Sequence, residues 1–264
     1  MKTSLIISTY NWPGALAVCL DSVGKQRLLP DEIVIADDGS SEETSLLVKE
    51  YAESCPVPVI HVWQEDEGFR LAKIRNKAVA QASGDYIIQI DGDVFLHKNF
   101  VEDFISIARP GHCILGSRVS LGKKLSYKII KSCVAHSIFP WTKGIHRKHA
   151  RALYAKFGRS ISLKYRLDES KGFGCAMGYY RNDFIAVNGY DERFEGWGCE
   201  DRDLLLRLLN NNVHNHKLLF IGIVYHLWHK EASKDSHLKN KELCYVANKG
   251  KIKAQIGISQ YLKK

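Results

Sequence analysis

Long hydrophobic runs are absent from the 264-residue sequence. The longest uninterrupted apolar stretch, residues 218–225, has only eight residues, whereas a helix that spans a bilayer needs about 20. The N-terminus enters a short apolar stretch and lacks both the longer hydrophobic region and the small-residue cleavage site of a secretory signal. We therefore expect neither a membrane-spanning helix nor secretion.

Closely paired cysteines are also missing. The seven cysteines are widely spaced and form no CxxC motif, although disulfide frameworks and zinc ribbons depend on such pairs. This pattern predicts a reducing, cytoplasmic compartment, in which each cysteine is a small buried side chain. With 45% hydrophobic and 25% charged residues, the composition is that of a globular protein and excludes disordered and collagen-like chains.

Acidic residues are scarce in two segments. Residues 118–168 carry 13 basic side chains and one acidic side chain, and residues 230–264 carry nine basic and three acidic ones. The rest of the chain is acidic overall, although the whole chain has a net charge of +9. The positive excess therefore lies in an insertion and a C-terminal tail, where it would favour contact with anionic groups.

Strand and helix patterns alternate through the first 110 residues. Short β-branched runs predict buried strands, and amphipathic stretches between them predict helices. The predicted strands are residues 4–9, 32–36, 59–63 and 86–90, and the predicted helices are residues 12–25, a segment that begins after the N-cap Ser41, and residues 71–82. This spacing indicates βαβ units and a Rossmann-like, mostly parallel α/β sheet flanked by helices.

The second half has fewer regular patterns. The sequence predicts a strand at 114–120, a basic amphipathic helix at 125–139, a strand at 175–180, a helix that opens with Glu200 and Asp201, a strand at 218–225, and a basic tail from residue 230. In open α/β sheets the ligand lies at the carboxyl ends of the strands. Residues 9–11, 37–38 and 91–93 all follow strands, so we expect them to converge on one crevice.

Two pairs of carboxylates follow predicted strands. Asp91 and Asp93 flank a glycine, and carboxylates in this arrangement suit Mg²⁺ or Mn²⁺ bound to phosphate oxygens. The alternative is an ordinary polar turn. Because this motif is expected in the same crevice as Asp37 and Asp38, the metal site is favoured over the polar turn. His226 and His229, which follow the last strand, are candidates for a further metal ligand or for structural hydrogen bonds.

Two further groups have the residue types of a ligand site. Arg70 begins a predicted helix, where a guanidinium and the helix N-terminus suit a phosphate; a solvated basic face is the alternative. Trp197 offers a surface on which a sugar ring can stack, and Glu200 or Asp201 can take a proton from a hydroxyl. The alternative for these acids is an ordinary helix N-terminus.

Together these motifs resemble family-2 glycosyltransferases of the GT-A fold, and the second half resembles the galactosyltransferase-like subgroup with a GWGxED motif. The resemblance covers residues 3–229. Its motifs occur in the family's order: TYN at 9–11, DDGS at 37–40, GFR at 68–70 followed by Ala72 and by RN at 75–76, DGD at 91–93, GWGCED at 196–201, and His226. The basic segment 121–171 matches no motif of the family.

The resemblance implies how a donor, a UDP-sugar, would be held. Thr9 and Tyr10 would hold the base, Asp38 the uracil, Arg70 the diphosphate and Asp91 the ribose, while Asp93 and His226 would bind a divalent cation, Mn²⁺ or Mg²⁺. His229 competes with His226 for the metal. These assignments predict a metal-dependent enzyme that uses a UDP-hexose or UDP-N-acetylhexosamine.

The resemblance also implies an acceptor site. Trp197 and Glu200 would position a saccharide or lipid-linked saccharide, and Asp201 would be the base of an inverting, single-displacement reaction in surface polysaccharide synthesis. Residues 1–229 would form one catalytic domain, with a donor half (1–117), the basic insertion (118–171) and an acceptor half (172–229), followed by the tail (230–264). The insertion would be either a lid or a contact with the inner face of an anionic membrane.

Two other classes of protein compete with this interpretation. A nucleic-acid-binding protein would use the basic segment 118–168 to follow phosphates. It leaves the carboxylates unexplained, so we expect no nucleic-acid partner. A catalytically inactive sugar-nucleotide-binding module would need no base at Asp201.

Overall fold

The computed structural model describes residues 1–146, 149–162, 166–167, 174–230, 233, 235–247 and 249–262. Its strands are β1 (Thr3–Thr9), β2 (Glu32–Asp37), β3 (Val59–Trp63), β4 (Tyr86–Asp91), β5 (Val94–Leu96), β6 (His112–Leu115), β7 (Ser117–Ser120), β8 (Arg166–Leu167), β9 (Ala176–Tyr180), β10 (His214–Lys217) and β11 (Ile223–His226).

The helices of the same residues connect these strands. They are α1 (Pro13–Gly24), α2 (Glu42–Ser54), α3 (Leu71–Gln81), α4 (Phe100–Ile107), α5 (Lys123–Ser132), α6 (Gly158–Ser162), α7 (Arg181–Ala186), α8 (Glu200–Asn210) and α9 (His237–Ala247), with short 3-10 helices at His149–Ala152 and Ile258–Gln260.

The main sheet confirms the predicted α/β architecture. Within the described residues it has eight strands in the order β3-β2-β1-β4-β9-β6-β10-β8. The first four strands are parallel, and β9 runs antiparallel to both of its neighbours. In the register, Ser8 lies opposite Asp91 and Thr9 opposite Asp37, so the polar ends of β1, β2 and β4 meet at one edge.

Both faces of the sheet are covered. In β1, Leu5 and Ile7 belong to a core cluster that includes α1, α2 and α4, whereas Ile6 packs with α3, α7 and α8. This alternation follows from the two-residue period of a strand. Because both sets of side chains are buried, the strand is a continuous hydrophobic run, as parallel strands usually are.

A second, three-stranded sheet borders the same edge. Its order is β5-β11-β7. Val94 lies opposite His226 across the β5–β11 pair, and Leu227 donates its N–H to the carbonyl of Asp93 (2.9 Å). This sheet therefore brings the residues after β11 beside the Asp91–Asp93 turn, although 133 positions separate Asp93 from His226.

Several predicted boundaries are wrong. The strand predicted at 114–120 is two strands, β6 and β7, in different sheets, separated by Gly116, where a Cβ would lie 2.8 Å from that of Ala176. The helix predicted at 125–139 ends at Ser132, because Cys133 adopts a left-handed conformation (φ 50°). Ser41 is at the N-cap of α2, but its side chain makes no capping hydrogen bond.

The end of the chain also differs from the expectation. The strand predicted at 218–225 is the shorter β11, and β10, which precedes it, was not predicted. The segment expected to be a basic tail packs against the body: α9 contacts α8, and Ile258 is buried in the core. In the part of the chain described here, no helix has the length and hydrophobicity to cross a membrane.

Candidate active site

A cavity of about 750 Å³ opens at the carboxyl ends of β1 and β4. The structure brings ten of the eleven predicted site residues to its lining: Thr9, Tyr10, Asp38, Asp91, Asp93, Trp197, Glu200, Asp201, His226 and His229. They come from the strands of both sheets and the residues that follow them, from the loop before α8 and from the first turn of α8. The predicted convergence of the strand ends on one crevice is therefore confirmed.

Arg70 is the predicted residue that does not line this cavity. Its guanidinium contacts the carboxylate of Glu67 and the carbonyl of Glu65, while its backbone N–H donates to Asp38 Oδ2 (2.8 Å). The Asp38 carboxylate also accepts a hydrogen bond from Gln64 Nε2 (2.6 Å), and burial raises the pKa of Asp38. Arg70 thus supports Asp38 through its backbone.

Arg75 holds the centre of the site. Its side chain is 1% exposed, and it donates from Nη2 to Asp91 Oδ1 (2.7 Å) and from Nη1 to Asp201 Oδ1 (2.9 Å). Its Nε donates to Ser8 Oγ (3.2 Å). Burial raises the pKa of Asp91 to about 6, although the Arg75 guanidinium opposes this shift. One guanidinium therefore links the end of β4 to the start of α8.

Asp201 is fixed on two further sides. Tyr190 donates its hydroxyl to Asp201 Oδ1 (3.0 Å). A Cβ added at Gly174 would overlap the Asp201 carboxylate, so the backbone can approach it only because residue 174 is a glycine. The carboxylate therefore has a defined position at the cavity wall before any ligand enters.

Glu200 has a different environment from its neighbour. Its Oε2 is buried and has no hydrogen-bond partner among the described residues. Burial, reinforced by the negative charge of Asp201, raises the pKa of Glu200 to about 7. Near neutral pH this side chain can therefore donate or accept a proton at the cavity wall.

Asp93, His226 and His229 form the group that can hold a metal ion. One ligand atom from each side chain lies within 4.8 Å of the other two. The Nε2 atoms of His229 and His226 lie 3.1 and 3.4 Å from Asp93 Oδ2. Asp93 Oδ1 is buried and has no hydrogen-bond partner among the residues described. One carboxylate and two imidazoles are ligands of divalent transition metals, so the residues fit a divalent cation.

The two histidines differ electrostatically. Burial lowers the pKa of His226, whereas the hydrogen bond to Asp93 raises the pKa of His229 to about 9. Burial opposes ionisation of Asp93, but the charges and hydrogen bond of the two histidines lower its pKa overall. The cluster includes both histidines, so the geometry allows either or both of them to contribute a metal ligand.

Several residues of the site were missed from the sequence. Arg75 was noted only as part of a motif, and Tyr190 was not among the predicted site residues. Arg118 lines the cavity and lies close enough for its charge to lower the pKa of Asp93 and of His226. The clustering of carboxylates in the predicted crevice was the signal that could have indicated Arg75 and Arg118, because carboxylates held close together need a cation nearby.

The basic insertion forms one wall of the cavity. Leu121 and His146 line it, and the N–H of Trp228 donates to Ser126 Oγ of α5 (2.8 Å). Leu121 also donates its N–H to the carbonyl of His226 (2.9 Å). The first turn of α5 is therefore attached to the segment that carries the two histidines.

Comparison with known proteins identifies the family. The family model "Glycosyl transferase family 2" matches residues 4–167, and the model "N-terminal domain of galactosyltransferase" matches residues 156–230. Validoxylamine A glucosyltransferase of Streptomyces hygroscopicus subsp. limoneus is 26% identical over 217 residues, covering 78% of this chain and 47% of that protein. Hyaluronan synthase of Pasteurella multocida is 29% identical over 224 residues, covering 78% and 22%. The chain thus spans half or less of these relatives.

Solved structures share the fold. TarS 1-349 of S. aureus in complex with UDP has a TM-score of 0.60 and 20% identity, over 99% of this chain and 68% of that one. A mannosyltransferase, PcManGT of Pyrobaculum calidifontis, in complex with GDP-Man and Mn²⁺, has a TM-score of 0.60 and 16% identity, over 87% and 58%. These likenesses confirm the expected GT-A fold, and with the family match they lead to one conclusion: the chain belongs to glycosyl transferase family 2.

Proposed function

We propose that the chain is an inverting, metal-dependent glycosyltransferase that moves a hexose or N-acetylhexosamine from a UDP-sugar to a saccharide or lipid-linked saccharide. One observation carries the proposal: Arg75 joins Asp91, on the donor side of the cavity, to Asp201, on the acceptor side. An inverting displacement needs a leaving group and a base on opposite faces of one carbon. The guanidinium fixes the distance between the two sides.

In this proposal the nucleotide lies across the ends of β1 and β2. Thr9, Tyr10 and Asp38 would contact the uracil, and Asp91 the ribose. The UDP bound to TarS supports a uridine donor, whereas the GDP-Man bound to the mannosyltransferase makes a guanosine donor the alternative. The Asp38 carboxylate can accept a hydrogen bond from N3–H of uracil and equally from N1–H of guanine, so the choice of uridine rests on the UDP bound to TarS.

Asp93, His226 and His229 would hold the divalent cation, Mn²⁺ or Mg²⁺. When bound, such an ion neutralises negative charge that develops on the leaving diphosphate. Arg118 lines the same end of the cavity and would add a second positive charge there. We assign to Arg118, which lines the cavity, the diphosphate contact that the sequence suggested for Arg70, which does not line it.

Asp201 would remove the proton from the attacking hydroxyl. Its Oδ1 accepts hydrogen bonds from Arg75 and Tyr190, so the carboxylate is oriented before the acceptor arrives. Trp197 would stack on the acceptor sugar, and Glu200 would bind one of its hydroxyls. Because the base and the leaving group act on different faces, no covalent enzyme intermediate is needed.

The donor screen and one substitution test this function. UDP-Gal, UDP-GalNAc, UDP-Glc and UDP-GlcNAc are incubated with and without Mn²⁺, and release of UDP is measured. We expect one or more donors to be hydrolysed only with the metal. Asp201→Asn should then keep UDP affinity while transfer falls by about 10²–10⁴-fold, the usual contribution of a positioned base. Glu195→Gln, an exposed carboxylate nearby, is the control.

Two results would contradict the proposal. Equal UDP affinity with and without Mn²⁺ argues against the metal site, and near-normal transfer by Asp201→Asn argues against this base. UDP binding without hydrolysis or transfer of any sugar would favour the inactive binding module. The proposed division into donor half, insertion and acceptor half depends on these assignments. So does the proposed role in surface polysaccharide synthesis, which is supported by the likeness to a hyaluronan synthase.

A second function, attachment to an anionic membrane surface, is favoured by the basic insertion. Residues 118–146 contain no acidic residue. On α5 the lysines 123, 124, 128 and 131 are all exposed, as are Tyr127 and, beyond the helix, Phe139 and Trp141. Trp141 is 76% exposed and stacks on Phe139 (5.2 Å between ring centroids). Lysines attract anionic lipid and aromatic rings enter the interface, so we propose peripheral binding on the cytoplasmic face.

Vesicle sedimentation tests this surface. The protein should pellet with phosphatidylglycerol vesicles at low salt and remain in solution at high salt or with phosphatidylcholine alone. The triple variant K124E/K128E/K131E should bind about 10²-fold more weakly, since each lysine contributes about 1 kcal/mol. Lys49→Glu on α2 is the control. No pelleting at low salt contradicts membrane attachment, and salt-dependent binding to duplex or single-stranded DNA would favour the nucleic-acid alternative.

A further inference from the structure

We propose that the first turn of α9 completes the acceptor site, with His237 binding a hydroxyl of the sugar that stacks on Trp197. This inference rests on the proposed function and adds to it the side chain that selects the acceptor. The ligand would be a pyranose that stacks one face on the indole and presents a ring hydroxyl to the imidazole. The support comes from four features of the described residues.

The first feature is the position of the imidazole. His237 lines the cavity together with Trp197, Glu200 and Asp201. Its ring centroid lies 5.5 Å from that of Trp197, and the two ring planes are tilted by 38°. Because the two rings are tilted relative to each other, the indole can contact the face of a sugar ring while the imidazole contacts its edge.

The second feature is an unpaired polar atom. The Nδ1 of His237 is buried and has no hydrogen-bond partner among the described residues. A buried polar atom left without a partner costs free energy. A sugar hydroxyl can donate to an imidazole nitrogen or accept from it, so it satisfies Nδ1 in either tautomer. His237 Nδ1 lies beside Gly198, which also lines the cavity, and we place the acceptor hydroxyl there.

The third feature explains the two glycines beside Trp197. Gly196 and Gly198 both have positive φ (72° and 108°). A Cβ at residue 196 would overlap Ser236 Oγ, and one at residue 198 would lie 3.1 Å from His237 Nδ1. The loop therefore needs glycines not only for its turns but also because the start of α9 packs directly against it.

The fourth feature is the anchor between α9 and the loop. Asn240 is fully buried, and its Nδ2 donates to the carbonyls of Glu195 (3.1 Å) and Trp197 (3.5 Å). Its own N–H donates to the carbonyl of Ser236 (2.9 Å). Asn240 is thus a positioning residue, which fixes His237 and Trp197 relative to each other.

The helix α9 lies outside the part of the chain that the family models match. The two family models match residues 4–167 and 156–230, so α9 lies beyond both. Donor, metal and base residues all lie within the matched part. A specificity element outside it can change between related chains without disturbing the chemistry of transfer.

Steady-state kinetics with three variants test the inference. The best UDP-sugar from the donor screen is paired with the para-nitrophenyl β-glycosides of glucose, galactose and N-acetylglucosamine. His237→Ala should raise the acceptor KM about tenfold or more, which corresponds to one lost hydrogen bond in a buried site, while the donor KM and metal-dependent hydrolysis stay within twofold. Leu238→Ala, an exposed neighbour on the same helix, should match wild type. His237→Asn, whose amide can replace Nδ1, should restore part of the affinity.

The outcomes separate this inference from the proposed function. If wild-type protein neither binds UDP with Mn²⁺ nor hydrolyses a UDP-sugar, the proposed function fails. If the wild-type protein transfers sugar and His237→Ala keeps the wild-type acceptor KM, only the inference about His237 fails. It also fails if His237→Ala reduces donor hydrolysis as much as it reduces transfer to the acceptor. If no glycoside is a substrate, quenching of tryptophan fluorescence by the same glycosides is measured on the UDP-loaded protein; binding lost in His237→Ala supports the inference, and no binding to wild type contradicts it.

Discussion

The two ends of the cavity are organised in opposite ways. At one end Arg75 is almost completely buried and satisfied by Asp91, Asp201, Ser8 and Tyr190. At the other end Asp93, His226 and His229 are partly exposed, and Asp93 Oδ1 has no partner among the residues described. The first cluster is complete within the protein, whereas the second offers free ligand atoms. The difference separates residues that hold the site's geometry from residues that bind its ligand.

The folding of the chain explains this contrast. Asp91, Arg75 and Asp201 come from β4, α3 and α8, which pack on the main sheet. Asp93 instead directly precedes β5, and the two histidines lie at the end of β11 and just beyond it, so all three belong to one end of the small sheet, next to the attached basic insertion. The Arg75 guanidinium is buried in the larger core and must satisfy its hydrogen bonds internally, while Asp93 Oδ1 at the small sheet has no partner among the described residues and can bind a ligand.

The largest expected effect comes from removing the buried guanidinium. Arg75→Met leaves the carboxylates of Asp91 and Asp201, which are 30% and 22% exposed, without their cation, so we expect the free energy of unfolding to fall by about 3 kcal/mol, the lower end of the range for a broken buried ion pair. Transfer should fall at least as far as in Asp201→Asn, because Asp201 loses its orientation as well. Urea unfolding and transfer assays measure both, with Lys73→Met on the same helix as the control. Near-normal stability and transfer would contradict the structural role of this cluster.

Removing the metal ligand should change binding and leave stability largely intact. Asp93→Asn is expected to reduce UDP affinity in Mn²⁺ to its value without metal, and His229→Ala to weaken Mn²⁺ binding by at least the roughly 10–100-fold that loss of an outer-shell partner costs. Calorimetric titration of UDP and of Mn²⁺ measures these effects, and His136→Ala, an exposed histidine outside the cavity, should behave as wild type. A loss of stability as large as that of Arg75→Met would mean that the two ends do not differ.

The acids and histidines of both ends were candidates from the sequence, but the guanidinium that joins two of the acids was not. Asp91, Asp93 and His226 belong to short motifs that follow strands, and the position of strand ends follows from local hydrophobic patterns. The partners of Arg75 lie 16 and 126 positions away, and no local pattern encodes such contacts. For the same reason α9 was expected to be a tail: its packing depends on Asn240 reaching a loop 43–45 positions earlier.

Gly174 tests whether the position of Asp201 matters as much as its charge. A methyl group at residue 174 would overlap the Asp201 carboxylate, so Gly174→Ala should displace it from Arg75. A displacement of about 1 Å can reduce turnover about 10²-fold. We expect kcat to fall with little change in UDP affinity. Gly24→Ala, which meets no atom within 4 Å, is the matched control. An unchanged kcat would show that the orientation of Asp201 is not limiting.

The smallest expected effect lies outside both clusters, at the attachment of the C-terminal segment. Asp191 is buried and accepts hydrogen bonds from Arg193 Nη2 (2.7 Å) and from the N–H of Gln255 (3.2 Å), and Lys251 Nζ lies 3.3 Å away. Burial alone would raise the pKa of Asp191, but its hydrogen bonds, those from Arg193 first, lower it to about 2.

A carboxylate whose pKa is lower in the folded than in the unfolded protein stabilises the fold at any pH above its unfolded pKa of about 3.9. This stabilisation is lost as the pH falls from about 4 toward 2, because the unfolded chain is protonated first. Asp191→Asn should therefore lower the free energy of unfolding by about 2 kcal/mol at pH 7, and the deficit should shrink between pH 4 and pH 2. Unfolding in urea across this range measures it, with exposed Glu53→Gln as the control. Since Asp191 lies outside the cavity lining, transfer per folded molecule should not change. A deficit independent of pH would mean that the Asp191 charge does not stabilise the fold, and lost transfer would extend the supporting cluster to the C-terminal segment.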